Sequence, residues 1–168
     1  MLSCFLSRVL MPVLTLFCTV AFAAPPSVAQ PAPAPHFVDV YEYFTTDAQY
    51  EAWYTLTTQL RRNFDDICGD TFCEGDYSNI QSLNFRCSVE QATGRIGRCL
   101  WIFAGSYEEI DADSGKINVT SHVWRCRTPL APHTTIDALL TALAGDSPLR
   151  ATLPATQTSI YDGLGDRL

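Results

Sequence analysis

The sixteen residues DDICGDTFCEGDYSNI, Asp65 to Ile80, hold five carboxylates (Asp65, Asp66, Asp70, Glu74, Asp76), two thiols (Cys68, Cys73) and two glycines. Carboxylates at this density need a cation, a guanidinium or open solvent between them. Calcium is the first chemistry to weigh. An EF-hand loop runs D-x-[DN]-x-[DN]-G, with a glutamate six residues beyond the glycine. Counted from Asp66 the third position is Cys68, and counted from Asp70 it is Phe72, so neither frame fits. An irregular calcium site built from Asp70, Glu74 and Asp76 stays as an alternative reading. Zinc fits less well. Cys68 and Cys73 enclose four residues, no second pair repeats the spacing, and His122 and Cys126 would have to complete the set. The simplest reading is a disulfide-clamped loop in which Cys68 and Cys73 close a small ring and Gly69 permits the bend. A bridge from either cysteine to Cys126 is the alternative.

A second acidic run, Glu108, Glu109, Asp111 and Asp113, offers either an acid/base pair of the glycosidase kind or a solvated hairpin loop. Asp113-Ser114-Gly115 is turn chemistry, which favours the loop. The histidines are His36, His122 and His133. His122 and Cys126 on one strand face would lie about 13 Å apart, too far for a thiolate–imidazole contact. Neither a nucleophile elbow nor a phosphate-cradling or dinucleotide-binding glycine motif occurs in the chain. Of the aromatic residues, Trp53 and Trp101 read as core. Trp124, flanked by Arg125 and Arg127, reads as a surface contact of the kind enriched at binding hot spots.

The elements that would carry these groups follow from periodicity. Leu83, Phe85, Cys87 and Val89 alternate with polar residues, the pattern of a half-buried strand. RCLWIFAG (98–105) is apolar at both parities, which predicts a central strand covered on both faces. A three-residue turn at Ala92-Thr93-Gly94, with Gly94 left-handed, sets Val89 opposite Gly97 and Cys87 opposite Cys99. Directly opposed residues are close enough to bridge, so Cys87–Cys99 is expected to be a disulfide. INVTSHVWRCR (117–127) alternates again and gives a third strand.

A helix precedes this sheet. Tyr50, Trp53, Tyr54, Leu56, Leu60, Phe64 and Ile67 trace its face, and Thr46 or Asp47 is a candidate cap. A second helix is expected over residues 134–145, opened by a Thr-x-x-Asp signature and closed by Gly145. A last short one is expected over 158–168. The expected fold is α+β: a small antiparallel three-stranded sheet packed with a long N-terminal helix and one or two C-terminal helices, disulfide-stabilised.

The N-terminus points to export. Arg8, an apolar run to Val20 and Ala21-Phe22-Ala23 read as a signal peptide over residues 1–23. Residues 24–36, APPSVAQPAPAPH, read as an extended Pro/Ala-rich spacer, and 37–168 as a single domain. Five cysteines follow the signal, and in an exported chain they are disulfide candidates first. The expected address is the periplasm or the medium. The mature chain has no run near ~20 apolar residues, so no transmembrane segment is expected there.

The formal charge is −7, and removal of Arg8 takes it to −8. This argues against nucleic acid and for a protein partner with a basic surface. The function expected is a non-catalytic binding protein, an inhibitor or toxin-neutralising immunity protein in kind, needing no cofactor. Its contacts would come from Asp70, Glu74, Asp76, Glu108, Glu109, Asp111 and Trp124. A calcium-stabilised binding domain and a small carboxylate-dependent envelope hydrolase are the alternatives.

Overall fold

A computed structural model describes residues 34–68, 77 and 79–164. Four antiparallel strands form one sheet in the order β1-β2-β3-β4: β1 Phe37–Asp39, β2 Gln81–Glu90, β3 Ile96–Ile110 and β4 Ile117–Arg127. The helices are α1 Val40–Tyr43, α2 Asp47–Ile67 and α3 Ile136–Ala142, followed by a single 3-10 turn at Tyr161–Gly163. The architecture is α+β as expected, with one strand more than the sequence suggested. β1 is three residues long, too short to show a period of two. It is held by pairing Val38 with Val89 and by the Gln91 amide donating to the His36 carbonyl at 2.9 Å.

α2 starts where Thr46 accepts from the Gln49 amide, while the Gln49 side chain accepts in return from the Thr45 amide at 3.1 Å. This is a capping box shifted by one residue on its return bond. Trp53, Leu56, Leu60 and Phe64 recur at helical spacing and are buried. Tyr50 and Tyr54 do not join them: both are exposed, Tyr54 at 68%. Tyr54 follows Trp53 directly and is turned about 100° away from it around the helix, and the Tyr50 hydroxyl instead donates to the Tyr41 carbonyl at 3.0 Å.

The stripe meets the sheet through rings. Trp53 lies 5.7 Å from Phe85, and Phe64 lies 5.8 Å from Trp101 and 4.6 Å from Phe103. Trp101 keeps its indole N–H satisfied by donating to the Ser82 hydroxyl at 2.8 Å. Trp53 and Trp101 are therefore core residues. α3 is fastened to the turn end of the sheet, where the Ile136 amide donates to the Gly94 carbonyl at 2.9 Å. Its cap is Thr135, accepting from the Ala138 amide at 3.2 Å, one residue beyond the threonine of the Thr-x-x-Asp signature. Leu149, Leu153, Ile160 and Leu164 bring the C-terminal segment into the same core.

Cys87 and Cys99 are paired and bonded, but the turn beside them differs from the expected one. The Glu90 carbonyl accepts from both Thr93 and Gly94, and the Glu90 amide donates to Arg95, so four residues rather than three form the loop. Val89 faces Ile96 instead of Gly97, and the register shifts between Ser88 and Val89. The extra loop residue and the bulge at Gly97 offset each other, which restores the Cys87–Cys99 match. Gly97 suits a bulge because a Cβ there would lie 2.8 Å from the Phe37 ring. Cys68 is also disulfide-bonded, whereas Cys73 lies outside the described residues. Cys126 is buried in the core. Among the described residues no helix is long and apolar enough to cross a membrane.

Both hairpin glycines have a left-handed φ of +70°, but a Cβ at Gly94 would meet the Tyr43 hydroxyl at 2.5 Å while one at Gly115 would meet nothing within 4 Å. Gly115→Ala should therefore cost only the left-handed strain, about 1–2 kcal/mol. Gly94→Ala should cost more, since the Tyr43 ring must also shift. Urea denaturation of the two variants checks this, and equal midpoints would show that the Tyr43 contact does not matter.

Candidate binding surface

β3 and β4 are longer than β2. The last β2–β3 pair is Gln81 with Ala104, yet β3 and β4 stay paired from Gly105–His122 out to Ile110–Ile117. The result is a two-stranded arm six residue pairs long, about 20 Å by strand rise. It is fixed at both ends. At the root, the Asn79 side chain accepts from the Ser106 amide and donates to the Ser106 hydroxyl, both at 2.7 Å. Gly105 allows this close approach, because a Cβ would sit 3.2 Å from Asn79 Oδ1 and 3.3 Å from both Ile80 and Trp124. At the tip, Asp111 Oδ1 accepts from the amide and the hydroxyl of Ser114, each at 2.7 Å, and Gly115 closes the turn.

Alternation sorts the arm's side chains onto two faces. Tyr107, Glu109, Asn118, Thr120 and His122 share the side of the sheet on which α2 packs. Ser106, Glu108, Ile110, Ile117, Val119 and Ser121 share the other. Glu108 and Glu109, adjacent in sequence, thus point in opposite directions and do not converge as an acid/base pair. Glu108 accepts from the Ser106 hydroxyl at 2.5 Å. The arm exposes unusually large apolar groups: Ile110 is 72% exposed, Ile117 66% and Val119 62%.

Trp124 lies on the α2 side, half-buried, with Tyr77 at 5.2 Å and His122 at 4.6 Å between ring centroids. Its neighbours Arg125 and Arg127 have the opposite parity and project from the other face. Trp124 therefore props the arm's root. Of the residues singled out in the sequence, Glu108, Glu109 and Asp111 all lie on the arm, but Glu108 and Glu109 stand on opposite faces and Asp111 closes the tip turn. Asp70, Glu74 and Asp76 lie outside the described residues. Among the described residues no group of three or more His, Cys, Asp or Glu side chains is placed to hold a metal ion.

Sequence reasoning missed the exposed Ile110, Ile117 and Val119. Ile117 and Val119 alternate as core strand residues do, and β3 reads as ending near Gly105, so the sequence carried no signal that β3 and β4 run on together beyond β2. No protein-family model, curated protein or solved structure matches the chain.

Asp111 has its pKa lowered from 3.8, first by the Ser114 hydroxyl and then by the Ser114 amide. Both bonds favour the charged form. A depressed folded pKa means that the stabilisation is fully present above the unfolded value and fades as pH falls through the folded one. The tip should therefore hold its turn at neutral and mildly acidic pH. A carboxyl-carbon NMR titration should place the Asp111 midpoint below 3.8 and show it moving upward in Ser114→Ala. A midpoint indifferent to that substitution would remove the tip bond from the account.

Proposed function

We propose that the chain is an exported, non-catalytic binding protein, an inhibitor or toxin-neutralising immunity protein in kind, that meets a protein partner through the β3–β4 arm. Residues 1–23 serve as the signal peptide, 24–36 as the spacer and 37–168 as the binding domain. The observation that carries this reading is the arm itself: Ile110, Ile117 and Val119 stand exposed beside Glu108, with Asp111 and Asp113 at the tip and Glu109 on the arm's other face. Exposed apolar side chains rimmed by charge are the usual composition of an interaction patch. The matching surface on the partner is basic with an apolar centre. Asp70, Glu74 and Asp76 belong to the same recognition chemistry. The Cys87–Cys99 disulfide agrees with folding in an oxidising compartment.

The test is capture from the producing cell's envelope fraction with the tagged mature chain, run with calcium and with a chelator. One stoichiometric protein should be recovered in both. Glu108→Lys/Glu109→Lys and, separately, Ile110→Asp should each reduce its recovery at least about tenfold, as removal of an interface hot spot does. Unchanged recovery with both variants would move recognition away from the arm. A partner seen only with calcium would favour a metal-dependent role for Asp70, Glu74 and Asp76.

A further inference from the structure

The sheet face turned away from α2 has a composition that the expected partner chemistry does not explain. Across β2, β3 and β4 its rows read Arg86–Leu100–Arg127 and Asn84–Ile102–Arg125. β3 thus supplies an apolar column of Leu100, Ile102 and Ala104, with arginines on both neighbouring strands and Arg98 at its end. These three apolar residues are only partly buried, although their parity in the sequence is that of a strand covered on both sides. Leu100 and Ile102 border a shallow cavity of about 430 Å³ shared with Phe37, Arg86 and Arg98. Asp39 pairs with Arg86. Among the described residues Arg98, Arg125 and Arg127 have no carboxylate at ion-pair distance. In a chain of net charge −7, this is a local concentration of positive charge. The same face continues onto the arm through Ser106 and Ser121 to Glu108, Val119, Ile110 and Ile117, and ends at the turn carrying Asp111 and Asp113. One end is basic, the other acidic, and the apolar residues run between them.

We infer that a second copy of this chain covers the face, in a two-fold dimer in which each arm lies along the other's open sheet. The inference rests on the arm being the recognition element and names the basic apolar surface that it meets. The layout is self-complementary in one direction only. Faces stacked with strands parallel would set arginine against arginine. A two-fold axis between the faces, crossing the strands at Gly105, reverses one copy. It brings Glu108 within reach of Arg125 of the second copy and the Asp111–Asp113 turn to its Arg98. Ile110 and Ile117 then settle on Leu100 and the aliphatic stem of Arg127 of the second copy. At the crossing Ala104, Ser106 and Ser121 are small, while Val123, paired with Ala104 and 42% exposed, falls over Ser121 of the second copy, which is compatible with the roughly 10 Å separation of packed sheets. The strip is about 45 Å long and two strands wide, roughly 450 Å² of sheet plane per copy, about half of what each partner contributes to a standard interface and in the range of weak, reversible contacts.

Sedimentation velocity of the mature chain over a concentration series is the first measurement. It should show a reversible dimer that weakens as salt is raised, since part of the contact is charge-based. Arg125→Glu alone and Glu108→Arg alone should each raise the dissociation constant at least about tenfold, because each opposes like charges at two symmetry-related places. An equimolar mixture of the two variants should dimerise again, since every contact in the mixed pair is between opposite charges. Both substitutions lie at exposed positions, and recovery in the mixture itself shows that each variant is folded.

A native chain that stays monomeric at about 100 μM, the range in which a weak dimer would already form, overturns the inference. So do single variants that associate like the native chain, or a mixture that does not recover. A monomeric native chain whose Glu108→Lys/Glu109→Lys variant still loses the captured envelope protein would refute the dimer and leave the proposed function standing. A dimer that obeys the charge-swap rule alongside unimpaired capture would do the reverse.

Discussion

The packing of one aromatic stripe against one sheet face governs the rest of this molecule. Trp53 and Phe64 of α2 meet Phe85, Trp101 and Phe103, and aromatic side chains bury more area per residue than any others. Once that contact forms, the parity of every strand is fixed, because slipping a strand by one residue would exchange its two faces. Cys87 and Cys99 must then both lie on the buried side, and the loop and bulge set them opposite each other. Arg86, Arg98, Arg125 and Arg127 must then stand on the outside. The charge pattern of the open face is a consequence of where the rings are.

This dependence explains which features were legible in the sequence. Long periodic segments were: α2, β2, β4 and the 98–105 part of β3 appear where their apolar spacing puts them, whereas Glu108 and Glu109, expected in a solvated loop, continue β3 as paired strand residues. The disulfide follows from opposition across a turn. The turn was read with one residue too few. The disulfide pairing survived because the bulge at Gly97 supplies the missing offset, which periodicity alone does not reveal. β1 was invisible for a different reason. Three residues have no period, and β1 is defined by the strand it joins. Trp124 illustrates the limit for surface residues: between two arginines it looks like a solvent-facing contact, yet strand alternation sends it to the opposite face, where Tyr77 and His122 surround it.

The apolar character of RCLWIFAG at both parities pointed to cover on both sides of β3, and among the described residues cover exists on one side only. A parallel strand with helices on both faces would satisfy such a sequence directly. An antiparallel strand is normally free to be polar on its solvent side. Leu100, Ile102 and Ala104 are not polar. Their neighbours on β4, Arg125 and Arg127, have long aliphatic stems that can shield part of this column while keeping their charges in water. Such shielding keeps an apolar column soluble without making it inert. It leaves a surface from which a matching partner can displace water at low cost, and this distinguishes it from an ordinary solvent face.

The arm adds a second constraint, which concerns order. Two strands without a third are at best marginally stable in water, so a bare ribbon of six pairs would fray. Here the root is gripped by Asn79 on Ser106, and Trp124 is wedged beneath it. The tip is closed by Asp111 on Ser114, and Ile110 faces Ile117 across the last rung, the kind of cross-strand pair that stabilises a hairpin. These contacts lie at the two ends and leave the middle of the arm unobstructed. A segment ordered before it binds loses little conformational freedom when it docks. Fixing the ends is therefore what would suit the exposed Ile, Val and Glu side chains to the recognition role proposed for them, since the same residues on a frayed loop would spend most of their contact energy on becoming ordered.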